Sequence, residues 1–186
     1  MNLLFEAALE IERFCRQRQW RFCIIGGLAA IRWGEPRGTR DVDVSLLTGF
    51  GNEADYVDQM LAQFSDRISD CRRFALENRV LLIKASNDVP IDVALAAVPF
   101  EERLISRATP FTFQPEVSLV TCSAEDLVVM KAFAGRDQDW AAVEGIVARQ
   151  GDGLDWHYID EQLIPLCELR DDRETPLRLN QFRKGS

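Results

Sequence analysis

The chain has 186 residues, 47% of them hydrophobic, and a formal net charge of -8. That length suits one domain with a small helical annex and supplies enough apolar side chain for a packed core. The acidic balance disfavours broad, salt-driven binding to nucleic acid, though it leaves room for a local basic patch beside a site.

The five cysteines (Cys15, Cys23, Cys71, Cys122, Cys167) form no C-x-x-C pair. This argues against a disulfide framework or a zinc knuckle and predicts a reducing, cytoplasmic setting. The apolar runs are too short to span a bilayer. Glu6, Glu10 and Glu12 near the N-terminus do not fit a signal peptide.

In residues 3–19, Leu4, Ala7, Ala8, Ile11, Phe14 and Cys15 share one stripe, which predicts an amphipathic helix. Arg21 to Ile25 reads as a short buried strand. It runs into Gly26-Gly27 and then a helix from Leu28 to Trp33. Strand, two glycines and helix suit a phosphate: glycine lets a ligand approach the backbone, and a helix N-terminus offers unpaired N–H groups. Tight turns also need glycine for conformation alone, so both readings stand at this point. No G-x-G-x-x-G or G-K-[ST] is present, so neither a dinucleotide fold nor a P-loop is supported. The loop 34–40 delivers Arg37 and Arg40, which are phosphate clamps on one reading and solvated arginines on the other.

From Asp41 to Leu46 the strand alternation separates two sets. Asp41, Asp43 and Ser45 point one way, and Val42, Val44 and Leu46 the other. The two acids stand roughly 6–7 Å apart at the backbone. Like charges 4 Å apart repel by about 4 kcal/mol at an effective dielectric of 20, which a bound cation or plain exposure to water would relieve. A helix over 53–64, a polar connection over 66–73, and a hairpin of strands 79–85 and 90–96 follow. Asp92 and Ala94 lie on the face opposite Ile91, Val93 and Leu95. Aspartate is a poor strand residue, and three of them in two aliphatic strands favour a metal site.

Pro99 to Arg107 reads as a short helix, with extended pieces at 111–113 and 117–120. Ser123 to Asp126 reads as a capping box for a helix with Leu127, Met130, Phe133 and Ala134 inward, flanked by Lys131 and Arg136. The next helix runs from Arg136 to about Arg149, with Trp140, Val143, Ile146 and Val147 inward. Residues 155–169 resume helically, with Pro165 expected to kink or divide the piece. From Asp171 the chain is polar and expected to be irregular. The single histidine, His157, rules out a histidine-rich metal site and an H-E-x-x-H protease. The cysteines read as small core residues, and no G-x-S-x-G elbow occurs.

Gly26-Gly27, Asp41-Val42-Asp43 and Asp92, in that order, resemble the nucleotidyltransferase superfamily of polymerase-β type. Within it the chain looks most like the small bacterial AbiEii and minimal-nucleotidyltransferase proteins. Thr39 to Asp43 is similar to the T-x-D-[IV]-D signature. Lys131, Arg136 and Asp139 resemble the helical K…R-x-K-D-x-x-D segment, from which the chain departs at Gln138 and Ala142. The resemblance covers roughly residues 5–150.

It implies an α/β (α+β) fold, a small mixed sheet flanked by helices. Residues 1–122 would be the catalytic core, 123–170 a helical portion and 171–186 a polar tail. It implies Mg²⁺-dependent transfer of NMP from an NTP to a hydroxyl acceptor on a protein, an RNA end or a small molecule. Two Mg²⁺ ions about 3.5–4 Å apart would serve that displacement. By the same resemblance Asp41 and Asp43 would ligate metals and phosphates. Asp92 would hold the second metal and help deprotonate the acceptor. Gly26 and Gly27 would cradle phosphates, and Arg40 or Lys131 would neutralise the leaving pyrophosphate. A basic patch of Arg37, Arg40, Lys84, Lys131 and Arg136 would suit a tRNA end. The family also admits two other readings: the toxin-like half of a pair with a cognate antitoxin, and a catalytically inactive binding module.

Overall fold

A computed structural model describes residues 2–35 and 38–184. Arg37, one of the expected phosphate clamps, lies outside the described residues. The chain divides into two units: Met1–Leu28 with Gly38–Cys122, and Ala29–Arg37 with Ser123–Ser186.

Alternating aliphatic and small or polar residues draw the first unit into one seven-stranded sheet. Its strands are β1 (Phe22–Ile24), β2 (Val42–Leu47), β3 (Ser65–Asp66), β4 (Val80–Lys84), β5 (Pro90–Ala96), β6 (Thr109–Gln114) and β7 (Val117–Thr121). The order across the sheet is β3-β4-β5-β2-β1-β7-β6. β2 and β5 are parallel, as are β1 and β7, and the other neighbours are antiparallel. The aliphatic rows are buried as their alternation requires: Val42, Val44 and Leu46 on β2, Ile91, Val93 and Leu95 on β5, and Leu81 and Ile83 on β4. Burying each such side chain stabilises the unit by about 1.5–3 kcal/mol.

Helices α1 (Leu3–Gln17), α3 (Glu53–Leu61), α4 (Cys71–Asn78) and α5 (Pro99–Arg107) also belong to this unit. The apolar stripe of α1, with Ala7, Ala8 and Ile11 buried, lies against β2 and β7. Glu12 on that helix accepts a hydrogen bond from the Val120 N–H at 3.0 Å and pairs with Arg16, one turn on, at 2.8 Å. The expected mixed sheet flanked by helices is therefore what the unit builds.

Two local expectations change. The stretch 66–73 is more than a polar connection: Ser65–Asp66 form β3, and α4 begins at Cys71. Only Cys71 and Ala75 of α4 are buried, an apolar stripe too thin to stand out by periodicity. The helix after β1, α2 (Gly26–Trp33), starts at the glycines themselves and not at Leu28.

The second unit contains α6 (Ala124–Ala134), α7 (Asp137–Gln150), a 3₁₀ turn at Gly151–Gly153, α8 (Trp156–Glu168) and α9 (Glu174–Lys184). Ser123 caps α6, its hydroxyl accepting from the Asp126 N–H at 3.1 Å. The buried residues of α6 include Leu127, Val128, Val129 and Ala132. Met130 and Phe133 are only half-buried and Ala134 is exposed, so the expected inner face is rotated. Trp140, Val143, Ile146 and Val147 of α7 are buried as expected.

Pro165 stands inside α8 without dividing it, and its carbonyl accepts from the Leu169 N–H at 3.3 Å. The expected irregular tail is instead largely α9. Asp172 holds its first turn, accepting from the Thr175 N–H at 3.1 Å and hydroxyl at 2.9 Å. Leu179 is buried, and Phe182 stacks on Trp140 with ring centroids 5.8 Å apart. Few apolar residues mark α9, and two of them anchor it.

All five cysteines are buried and none forms a disulfide. Burial, assisted by the nearby Glu12 charge, pushes the Cys15 thiol up to about 12. Among the described residues no helix is long and apolar enough to cross a membrane.

Candidate active site

Parallel pairing of β2 and β5 sets Asp43 directly opposite Asp92. Neighbouring strands run about 4.8 Å apart, and the alternation places both carboxylates on the same face of the sheet. Asp41 precedes β2 by one residue and joins them. One carboxylate oxygen from each of Asp41, Asp43 and Asp92 lies within 4.8 Å of the others, and all three residues are half-buried. These three expected residues therefore meet.

The glycines lie against the same group. The Gly27 N–H points at Asp43 Oδ2 at 3.4 Å, and Ile25 N–H donates to the Asp43 carbonyl at 2.9 Å. Gly26 has φ +60°, and a Cβ built there would stand 1.8 Å from Asp43 Oδ2. A Cβ on Gly27 would stand 2.4 Å from Thr39 Oγ1. Gly26 is thus required on two grounds, a left-handed backbone and the close approach of a carboxylate. The Thr39 hydroxyl in turn donates to Asp41 Oδ1 at 2.9 Å.

A residue not singled out from the sequence completes the row. The Arg67 N–H donates to the Leu82 carbonyl at 3.0 Å, Leu82 pairs with Asp92, and Asp92 pairs with Asp43. Arg67, Leu82, Asp92 and Asp43 therefore form one line across four strand positions. The Arg67 side chain reaches over Leu82 to place Nη1 2.8 Å from Asp92 Oδ1. That contact is ionic in distance but lacks hydrogen-bond angles, for Asp92 Oδ1 is a buried oxygen that receives no hydrogen bond. Sequence reading missed Arg67 because it follows a two-residue strand in a polar stretch. Its only signal was a cation at an edge of the hairpin that carries Asp92.

The donor set fits a hard divalent cation. It consists of three carboxylates, with one buried oxygen lacking a hydrogen bond, and Mg²⁺ prefers carboxylate oxygen to nitrogen or sulfur.

Of the cations expected at the phosphates, Arg40 is exposed just ahead of Asp41. Lys131 and Arg136 both converge on Asp139 within the second unit. Lys131 Nζ is 2.9 Å from Oδ1, Arg136 Nε is 2.5 Å from Oδ2, and Arg136 Nη2 is 3.2 Å from Oδ1. Asp139 is fully buried. Burial alone would push its carboxyl up, but the hydrogen bonds from Arg136 and Lys131 outweigh it and hold the group below the usual carboxylate range.

The sequence matches, over residues 2–182, a family described as a nucleotidyltransferase of unknown function (DUF6036). No curated protein matches it in sequence. In three dimensions the chain is similar to an antigenic nucleotidyltransferase-like protein from Paracoccidioides brasiliensis. The TM-score is 0.54 at 14% identity, over 95% of this chain and 92% of that one. It is also similar to the lincomycin-bound lincosamide antibiotic adenylyltransferase LnuA, with a TM-score of 0.50 at 10% identity, over 76% of this chain and 94% of that one. At such identities the likeness is one of fold.

Proposed function

The chain belongs to this nucleotidyltransferase family, and from that premise we propose that it transfers a nucleoside monophosphate from an NTP to a hydroxyl group, using Mg²⁺. The observation that carries this reading is the meeting of Asp41, Asp43 and Asp92 within 4.8 Å of one another, beside glycines whose missing Cβ atoms let the Asp43 and Thr39 side chains close on the backbone.

In the proposed reaction the acceptor oxygen bonds to the α-phosphorus, the bond from that phosphorus to the bridging oxygen breaks, and pyrophosphate leaves. Asp41 and Asp43, with Asp92, would hold Mg²⁺, which supplies charge stabilisation at the attacking and leaving oxygens. Asp92 takes the proton of the acceptor hydroxyl. Gly26 and Gly27, at the start of α2, are assigned to the phosphates. Arg40 is assigned to the charge of the leaving pyrophosphate. Lys131, the other residue expected there, is assigned instead to holding Asp139.

The acceptor class stays as broad as a protein, an RNA end or a small molecule. The closer AbiEii-type reading rests on Lys131, Arg136 and Asp139, the residues of the resemblance, which meet within the second unit.

Calorimetric titration with a non-hydrolysable NTP, with and without Mg²⁺, tests the proposal in wild type and in Asp43→Asn. Metal-dependent binding that disappears in the variant is expected. If folded wild-type protein binds none of the four NTPs, the enzyme reading fails and the fold is a binding module.

A further inference from the structure

Arg67 differs in geometry from the two arginines that hold an aspartate at two points. Arg72 grips Asp58 with a fork, Nε to Oδ1 at 2.6 Å and Nη2 to Oδ2 at 3.0 Å. Arg136 grips Asp139 in the same two-point manner. Arg67 has one close approach to Asp92, at 2.8 Å, with no hydrogen-bond alignment. Its side chain is 27% exposed and that of Asp92 30% exposed, so both have room to part. Its backbone, meanwhile, is fixed to β4 through the Leu82 carbonyl, which keeps the guanidinium within reach of Asp92. The contact has the form of a counterion laid against a carboxylate and lacks that of a locked ion pair.

We propose that Arg67 is a resident counterion of Asp92 that competes with the divalent cation for this carboxylate. The inference rests on the metal-binding reading of Asp41, Asp43 and Asp92. Without metal, Arg67 lays a positive charge against one of three crowded acids. A dication entering the cluster meets the guanidinium as a like charge, and the two compete for the Asp92 carboxylate. Arg67 therefore weakens divalent binding and steadies the empty site. It is a positioning residue, acting through Asp92.

The sign of this effect separates it from a structural role. Mn²⁺ binding is followed through the electron paramagnetic resonance signal of the free ion, in wild type, Arg67→Gln, Arg67→Lys, Asp43→Asn, Asp92→Asn and the Arg67→Gln/Asp92→Asn double variant. Arg67→Gln is expected to tighten Mn²⁺ binding by about threefold to tenfold, the effect of removing one unit charge beside a partly exposed site. Arg67→Lys keeps the charge and stays near wild type. In the Asp92→Asn background the Arg67→Gln gain disappears, because the contested carboxylate is gone.

Unchanged or weaker Mn²⁺ binding in folded Arg67→Gln, or the same gain with and without Asp92, overturns the proposal. If wild type binds Mn²⁺ and Asp43→Asn does not, such a result leaves the metal site standing and removes only the role of Arg67. If wild type and every variant fail to bind Mn²⁺, the metal-binding reading falls and takes this inference with it.

Discussion

Asp92 and Asp139 each turn a carboxylate inward and each meets an arginine, but the fold treats them in opposite ways. Asp139 in the second unit has no exposed side-chain surface and receives hydrogen bonds from Lys131 and Arg136 on both oxygens. Asp92 in the first unit has one buried oxygen without a hydrogen bond, one misaligned arginine and two further carboxylates within 4.8 Å. A saturated charge has nothing left to offer a ligand, and its removal is felt as lost stability. An undersatisfied cluster costs stability by itself and gains most when a cation arrives. On the proposed function, Asp139 serves the architecture and Asp92 the chemistry.

The sharpest way to break that contrast is Asp43→Asn. It should lower Mg²⁺-dependent NTP binding by about a hundredfold or more, as loss of a shared metal ligand does. Its thermal midpoint should stay level or rise, because a repelling charge is gone. Calorimetry and thermal melts check both halves, and a variant that unfolds would show that the cluster is structural.

Lys131→Met is the converse and should cost about 3 kcal/mol in urea denaturation, the usual penalty for leaving a buried charge short of its partner. An unshifted midpoint would move Lys131 out of the architectural class. Gly26→Ala comes next, since its Cβ would collide with Asp43 Oδ2 on a left-handed backbone. A loss of about 1–3 kcal/mol is expected, together with weakened metal binding.

The smallest effect lies in acid. The Asp139 carboxyl is held below its ordinary value. Its contribution to stability is thus full above the unfolded-state value near about 4 and fades as pH falls through the lower folded value. Urea midpoints of wild type should drop in that window, and Asp139→Asn should be flatter there.

The aspartate cluster could be read from the sequence because strand alternation is a local rule: Val42 and Val44 inward force Asp41 and Asp43 outward, and Asp92 repeats the pattern. That β2 and β5 lie side by side and parallel, bringing Asp43 against Asp92, is a long-range fact, and no local pattern encodes it. Arg67 shows the same limit more strongly, since its role depends on register across four strands. Helices α4 and α9 escaped because two buried residues each, Cys71 with Ala75 and Thr175 with Leu179, leave no periodicity to detect. Pro165 misled in the other direction, because packing of Ile159, Leu163 and Cys167 holds α8 together across the proline. Lys131 looked available as a free cation, and its buried partner eight residues later could be recognised only once α6 and α7 had folded back on each other.

The buried thiols make the two units separately clocked. Cys15, Cys23, Cys71 and Cys122 lie in the first unit and Cys167 in the second. A thiol sealed from solvent reacts with an alkylating reagent only in the moments when its surroundings open. Each labelled peptide therefore records how often its own unit breathes, with no probe introduced. The Cys15 thiol, pushed up to about 12 in the closed state, is nearly inert until α1 lifts from the sheet. Its labelling rate counts those departures, and a ligand that tightens the first unit should slow four of the five clocks and leave the fifth running at its own pace.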